Sequence, residues 1–184
     1  MNLKHQKLIP AIRNMKDLEV MIKSSFTYGV FLDLHVAQVK NVVSLAKSHG
    51  KEMFLHVDMI HGLKSDEYAT EFIIQEIKPA GIISTRGNVI MKAKQKGIIS
   101  IQRLFLIDQT ALEKSYQVIE KTQPDYIELL PGVLPNFIQE VREKTGRNIL
   151  AGGLIRTVED IETAIEAGAE AVTTSNKDLW KYFK

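Results

Sequence analysis

Charged, hydroxyl and imidazole side chains recur in this chain where short apolar runs end, in the strings FLDL, HVDMIHG, ISTR, IQR and IELL. The residues concerned are Asp33, His56, Asp58, Thr85, Arg86, Arg103 and Glu128. A pair of carboxylates can act as general acid and base, or can simply accept hydrogen bonds from a polyol, and Asp58 with Glu128 fits either use. A guanidinium offers a rigid fork to phosphate or carboxylate, so Arg103 suits an anionic ligand or a structural pairing with Glu128 or Asp58. His56 and Asp58 stand two apart, which on a strand puts both on one face pointing into the same site, with His61 on the loop beyond. The three could be taken for metal ligands. Hydrogen bonding to a ligand is the reading adopted, without a metal, and a buried imidazole bonded to a neighbouring strand is the plainer alternative for His56.

Two further strings bear on phosphate. AGGLI places Gly152 and Gly153 at the end of one apolar run, and TTSN places Ser175 and Asn176 at the end of the next. Glycines let backbone amides approach phosphate oxygens, and a short final helix starting at Ser175 or Asn176 would present more amides. A glycine pair is also an ordinary strand-to-loop bend; its place in the last two repeating units of the chain is what points to phosphate.

The elements that must position these groups are legible from hydrophobic period and punctuation. Eight strand-like runs begin at Leu8, Tyr28, Met53, Gly81, Ile98, Tyr126, Asn148 and Ala171, rich in Ile, Val, Leu and Phe. Near-continuous apolar runs suit parallel strands covered on both faces. Between them lie helical stretches. Thr110 with Glu113 and Thr157 with Asp160 fit the capping box, and Gly50, Gly97, Gly146 and Gly168 stand where helices end. Val158, Ile161, Ala164, Ile165 and Ala169 form one apolar stripe. The pattern predicts a compact α/β fold, a single (β/α)8 TIM-type barrel over residues 1–184, at roughly 23 residues per unit. Such a barrel carries its functional residues at the C-terminal ends of its strands.

Composition narrows the function classes. The 184 residues include no cysteine, which excludes a disulfide framework, a thiolate metal site and a catalytic cysteine. No apolar run is long enough to span a membrane and the N-terminal stretch lacks a signal-peptide core, so a soluble cytoplasmic protein is expected. A net charge of +2 is far from that of a dense cationic stripe. The exposed basic candidates for RNA contact are Lys92, Lys96, Arg142, Arg147, Lys177, Lys181 and Lys184, most of them expected to be ordinary solvated side chains.

The strings HVDMIHGLKSDEYA, AGIISTR, IQRLFLID, PDYIELLPG, AGGLI and TTSNKDLW, in that order, closely resemble the glycerol-3-phosphate-responsive antiterminator family across essentially the whole chain. The resemblance implies a bacterial cytoplasmic regulator of transcription and glycerol metabolism. Such a regulator binds glycerol 3-phosphate as effector, needs no cofactor, and acts on leader mRNA to prevent premature termination, with no catalytic turnover. Position by position it implies ligand contacts at His56, Asp58, Arg103, Glu128, Gly152, Gly153 and Ser175, with Asn176 beside them. Gln109 stands where relatives are expected to carry serine. A homodimer is compatible with this reading. A barrel enzyme acting on a small phosphorylated substrate and a phosphate-binding barrel that signals through a protein partner remain open beside it.

Overall fold

The computed structural model describes Leu3 and residues 6–183. Strands β1 (Leu8–Ile12), β2 (Tyr28–Phe31), β4 (Glu52–His56), β6 (Gly81–Ser84), β7 (Ile99–Phe105), β8 (Tyr126–Leu130), β9 (Asn148–Gly152) and β10 (Ala169–Thr174) close into a parallel barrel in the order β1-β10-β9-β8-β7-β6-β4-β2. Around it run α1 (Met15–Ile22), α2 (Val36–Ser48), α3 (Glu67–Phe72), α4 (Gly87–Gln95), α5 (Gln109–Thr122), α6 (Pro135–Thr145), α7 (Val158–Glu166) and α8 (Lys177–Tyr182). Two two-residue strands, β3 (Leu34–His35) and β5 (Ile60–His61), pair in parallel outside the barrel. The (β/α)8 expectation is met.

Side-chain alternation explains how the barrel fills itself. Each strand sends one apolar residue to a common inner layer: Ile9, Val30, Phe54, Ile83, Ile101, Tyr126, Leu150 and Ala171, joined by Leu3. Their neighbours, among them Leu8, Phe31, Leu55, Ile82, Ile127, Ile149 and Val172, face outward and pack in the main core that includes helix residues. Full burial of an Ile, Leu or Phe side chain contributes about 1.5–3 kcal/mol, so this double-sided packing fixes the strand register firmly. Two residues further along, the same inward face reaches Ala11, Leu32, His56, Thr85, Arg103, Glu128, Gly152 and Thr173. The lower layer is apolar and sealed; the upper one is largely polar.

Helix ends mostly follow the expected chemistry. Thr157 and Asp160 form a capping box, and Gly50, Gly97, Gly146 and Gly168 all have positive φ. Ile161 and Ala164 are buried on α7, while Ala169 lies beyond the helix, in β10. Thr110 and Glu113 do not cap α5. Asp108 does so, its side chain accepting from the Ala111 amide at 2.7 Å, because a carboxylate two residues earlier reaches the free amides first. The run from Tyr28 stops at Phe31 as a barrel strand, since Asp33 adopts a left-handed φ of 56° that extended structure cannot accommodate.

Candidate functional site

The strand C-terminal ends surround a cavity of about 330 Å³. Its wall includes Ala11 and Arg13 from the β1 end, Arg103 from β7, Glu128 from β8, Gly153 and Leu154 after β9, and Thr173 to Asn176 at the end of β10. Glu128 is its fixed centre. This carboxylate is 2% exposed; Oε2 accepts from Arg103 Nε at 2.7 Å and Oε1 from Thr173 Oγ1 at 2.9 Å. Both uses foreseen for Arg103 therefore remain compatible: Nε pairs with Glu128, while among the described residues the two terminal nitrogens make no hydrogen bond and can meet an anion.

The glycines have distinct reasons. A Cβ on Gly152 would lie 2.5 Å from Thr173 Oγ1, so only glycine lets that hydroxyl reach Glu128. Gly153 and Leu154 have φ of 76° and 61°, two successive left-handed residues that turn the loop over the cavity. Gly132 holds that loop from the other side: its amide donates to the Gly152 carbonyl at 2.6 Å, and a Cβ there would meet the Gly152 nitrogen at 2.7 Å.

His56 and Asp58 are not brought together as the two-residue spacing predicted. The strand ends at His56, and Val57–Met59 forms a 3-10 turn that carries Asp58 away to the end of β6. There Asp58 accepts from Ser84 Oγ at 2.7 Å, Thr85 N at 2.6 Å and Thr85 Oγ1 at 2.9 Å. Burial alone would raise its pKa, but these donors outweigh it and hold the carboxyl below the usual range. His56 is buried, and neither ring nitrogen has a hydrogen-bond partner among the described residues. Burial first, then the nearby positive charge of Arg103, pulls its pKa down to about 4, against the opposing pull of Glu128 and Asp58. It is therefore a neutral imidazole at pH 7, with one donor and one acceptor unspent. His61 is not on a free loop but on β5, bonded to Asp33. Among the described residues no group of three or more His, Asp or Glu side chains is arranged to hold a metal.

Ser175 and Asn176 both line the cavity. The last helix starts at Lys177, not at Ser175 or Asn176, because the Asn176 side chain takes the cap position and accepts from Asp178 N at 3.1 Å. Among the cavity residues that the sequence reading did not name, two carry polar groups of note. Thr173 stands two positions after the inward Ala171, and Arg13 directly follows the β1 run, so inward alternation and strand-end position would have found them.

The basic residues proposed for RNA are scattered. Lys92 and Lys96 both bind Glu71, at 2.9 and 2.5 Å, the Lys96 and Lys92 bonds holding that carboxyl down to about 2. Arg142 lies in the last turn of α6, and Arg147 precedes β9, where its side chain reaches Gln123; both are at the end of the barrel opposite the cavity. Lys177 is tied to the buried Asp17 at 2.8 Å, and the exposed Lys181 to Asp178. Lys184 lies outside the described residues.

Residues 8–180 match the family model described as glycerol-3-phosphate responsive antiterminator. The chain belongs to this family. The crystal structure of the glycerol uptake operon antiterminator regulatory protein from Listeria monocytogenes is 50% identical, covers 98% of each chain and gives a TM-score of 0.97. The antiterminator-related protein from Thermotoga maritima is 27% identical over 96% of this chain and 99% of its own, with a TM-score of 0.85. The uncharacterized Escherichia coli K12 protein YgcP is 31% identical over 99% of this chain and 95% of its own. Among the described residues no helix is long and apolar enough to cross a membrane.

Proposed function

We propose that this protein is a cytoplasmic, glycerol-3-phosphate-responsive regulator that binds the leader mRNA of glycerol-utilisation operons and prevents premature termination. The observation that carries the ligand part is the cavity at the strand ends, which sets an arginine fork, a glycine turn and a serine hydroxyl beside a buried carboxylate. In this reading the phosphate meets Gly153, Ser175 and the terminal nitrogens of Arg103, with Arg13 at the rim. The glycerol hydroxyls meet Glu128, whose oxygens each retain a lone pair; His56 is buried and stands outside the cavity wall. Asp58 and Asn176 act one step back, Asp58 by tying the β4 turn to β6 and Asn176 by capping α8.

Family membership supports regulation over catalysis, and the cavity chemistry agrees. Carbonyl chemistry through a Schiff base needs a lysine amine in the site, and no lysine lines this cavity. Glu128 is already held by Arg103 and Thr173, an arrangement for binding hydroxyls. The ligand acts by linkage: it shifts the protein toward an RNA-competent state only to the extent that it binds that state better, and a coupling of about 1–3 kcal/mol changes RNA affinity roughly 5- to 150-fold.

The test is binding of the protein to its own operon's leader transcript with and without glycerol 3-phosphate, at two salt concentrations, with glycerol as control. Tighter binding with glycerol 3-phosphate alone is the expected result; turnover of the ligand without any leader binding would favour an enzyme. Gly153→Asp, which sets charge and bulk against the phosphate, is expected to abolish ligand binding, and retained binding would remove the phosphate from this loop.

A further inference from the structure

We infer that single-stranded RNA docks on the mouth end of the barrel, its phosphates on Arg86 and Arg156 and a base on Phe105, and that Arg103 makes this surface respond to the ligand. The inference rests on the RNA reading above and locates it on the molecule. RNA affinity can follow ligand occupancy only if the groups that touch RNA differ between the two states. The end of the barrel away from the cavity is separated from it by the close-packed inner layer of Ile9, Phe54, Ile83, Ile101 and Leu150. A layer packed to this density does not deform continuously, whereas the mouth loops touch the ligand directly.

At the mouth, two exposed arginines have pinned backbones and uncommitted guanidinia. Arg86 N donates to Ser84 Oγ at 3.0 Å and Arg156 N to Asp160 Oδ2 at 2.8 Å. Among the described residues neither guanidinium takes part in an ion pair within 4.0 Å. A fork on a fixed backbone that no acid pairs with suits a phosphate oxygen pair; Asp160 stands near enough to Arg156 to feel its charge without binding it. Phe105, the last residue of β7, is 43% exposed, an unusual state for a strand phenylalanine, and every nucleobase has a face to stack on such a ring.

Arg103 joins the two surfaces. Its guanidinium carbon stands 5.9 Å from the centroid of the Phe105 ring while the same side chain lines the cavity and binds Glu128. A ligand phosphate drawing on the terminal nitrogens of Arg103 alters the charge over the Phe105 face, and with it the stacking platform. This gives linkage a physical route two residues long.

The experiment compares leader-transcript binding, with glycerol 3-phosphate present, by the wild-type protein, Phe105→Ala, Arg86→Gln/Arg156→Gln, and a far-end control, Lys121→Gln/Arg142→Gln, in the last turns of α5 and α6. Calorimetry with glycerol 3-phosphate alone checks each variant's ligand site, which none of these residues lines. Phe105→Ala is expected to lose about tenfold in RNA affinity, the scale of one base-aromatic stack. The double arginine variant is expected to reduce the salt slope by about 1.4, two phosphate contacts on a single strand. Loss in the far-end variant with wild-type behaviour in both mouth variants would overturn the placement. A wild-type protein that binds glycerol 3-phosphate but no leader RNA would instead refute the RNA reading, and this surface with it.

Discussion

Where the strands begin, Lys51 is buried yet its ammonium donates to two carbonyls, Ser24 O and Phe26 O, each at 2.7 Å. Where they end, His56 is 3% exposed and neither nitrogen has a partner among the described residues. Asp125, just before β8, is likewise committed to Ser100 and Lys94, whereas the mouth keeps the terminal nitrogens of Arg103 and the left-handed Gly153–Leu154 turn. Buried polar groups are normally satisfied, because an unpaired one costs about 1–3 kcal/mol. At the strand starts Lys51 and Asp125 follow this rule, although Arg147 Nε is buried there without a partner among the described residues. At the strand ends both His56 nitrogens depart from it, and the terminal nitrogens of Arg103 stay unbonded at the cavity wall.

Three perturbations sharpen this contrast. The largest effect is expected from Glu128→Ala, which leaves the half-buried Arg103 without its counter-charge: a loss of about 3–5 kcal/mol of stability by urea unfolding. A ligand-free protein that barely notices the change would mean that the pair is solvated and the cavity more open than its geometry indicates.

The second effect is a pH dependence. The folded protein holds His56 at about 4, below the ordinary histidine value of 6.5. The unfolded chain binds the extra proton first, so this contribution to stability is fully present above pH 6.5 and is lost as pH falls toward and through 4. Between pH 7 and 4.5 the wild type is expected to lose on the order of 2 kcal/mol more than His56→Gln, whose side chain does not titrate. Parallel acid losses in the two proteins would show that Glu128 and Asp58 offset the burial of the imidazole. The smallest effect belongs to Lys181→Ala, which removes an exposed ion pair with Asp178 and is expected to leave the urea midpoint at the wild-type value.

Much of the candidate site is legible in the sequence because it obeys the same period as the core. Once Phe54, Ile101, Tyr126 and Leu150 are taken as inward, His56, Arg103, Glu128 and Gly152 must be inward too, two residues closer to the mouth. Asp58 broke the pattern because a 3-10 turn begins at Val57, and the Ser84 and Thr85 donors that hold it there lie some 26 residues away in sequence. Thr110 was displaced from its cap by Asp108, a local competition between two plausible caps that only the chain's actual path resolves.

The sequence by itself determined the eight β/α units, the facing of each strand and the family, since these follow from local period, punctuation and recognisable strings. Tertiary structure alone decided which polar groups are partnered. It joined Glu128 to Thr173 across 45 residues, took Lys92 and Lys96 into pairing with Glu71, and left the His56 ring without a hydrogen-bond partner among the described residues. The physical reason is that hydrophobic burial is nearly non-directional and readable from composition along a strand, whereas a hydrogen bond depends on atoms meeting within a few tenths of an ångström from segments far apart in the chain.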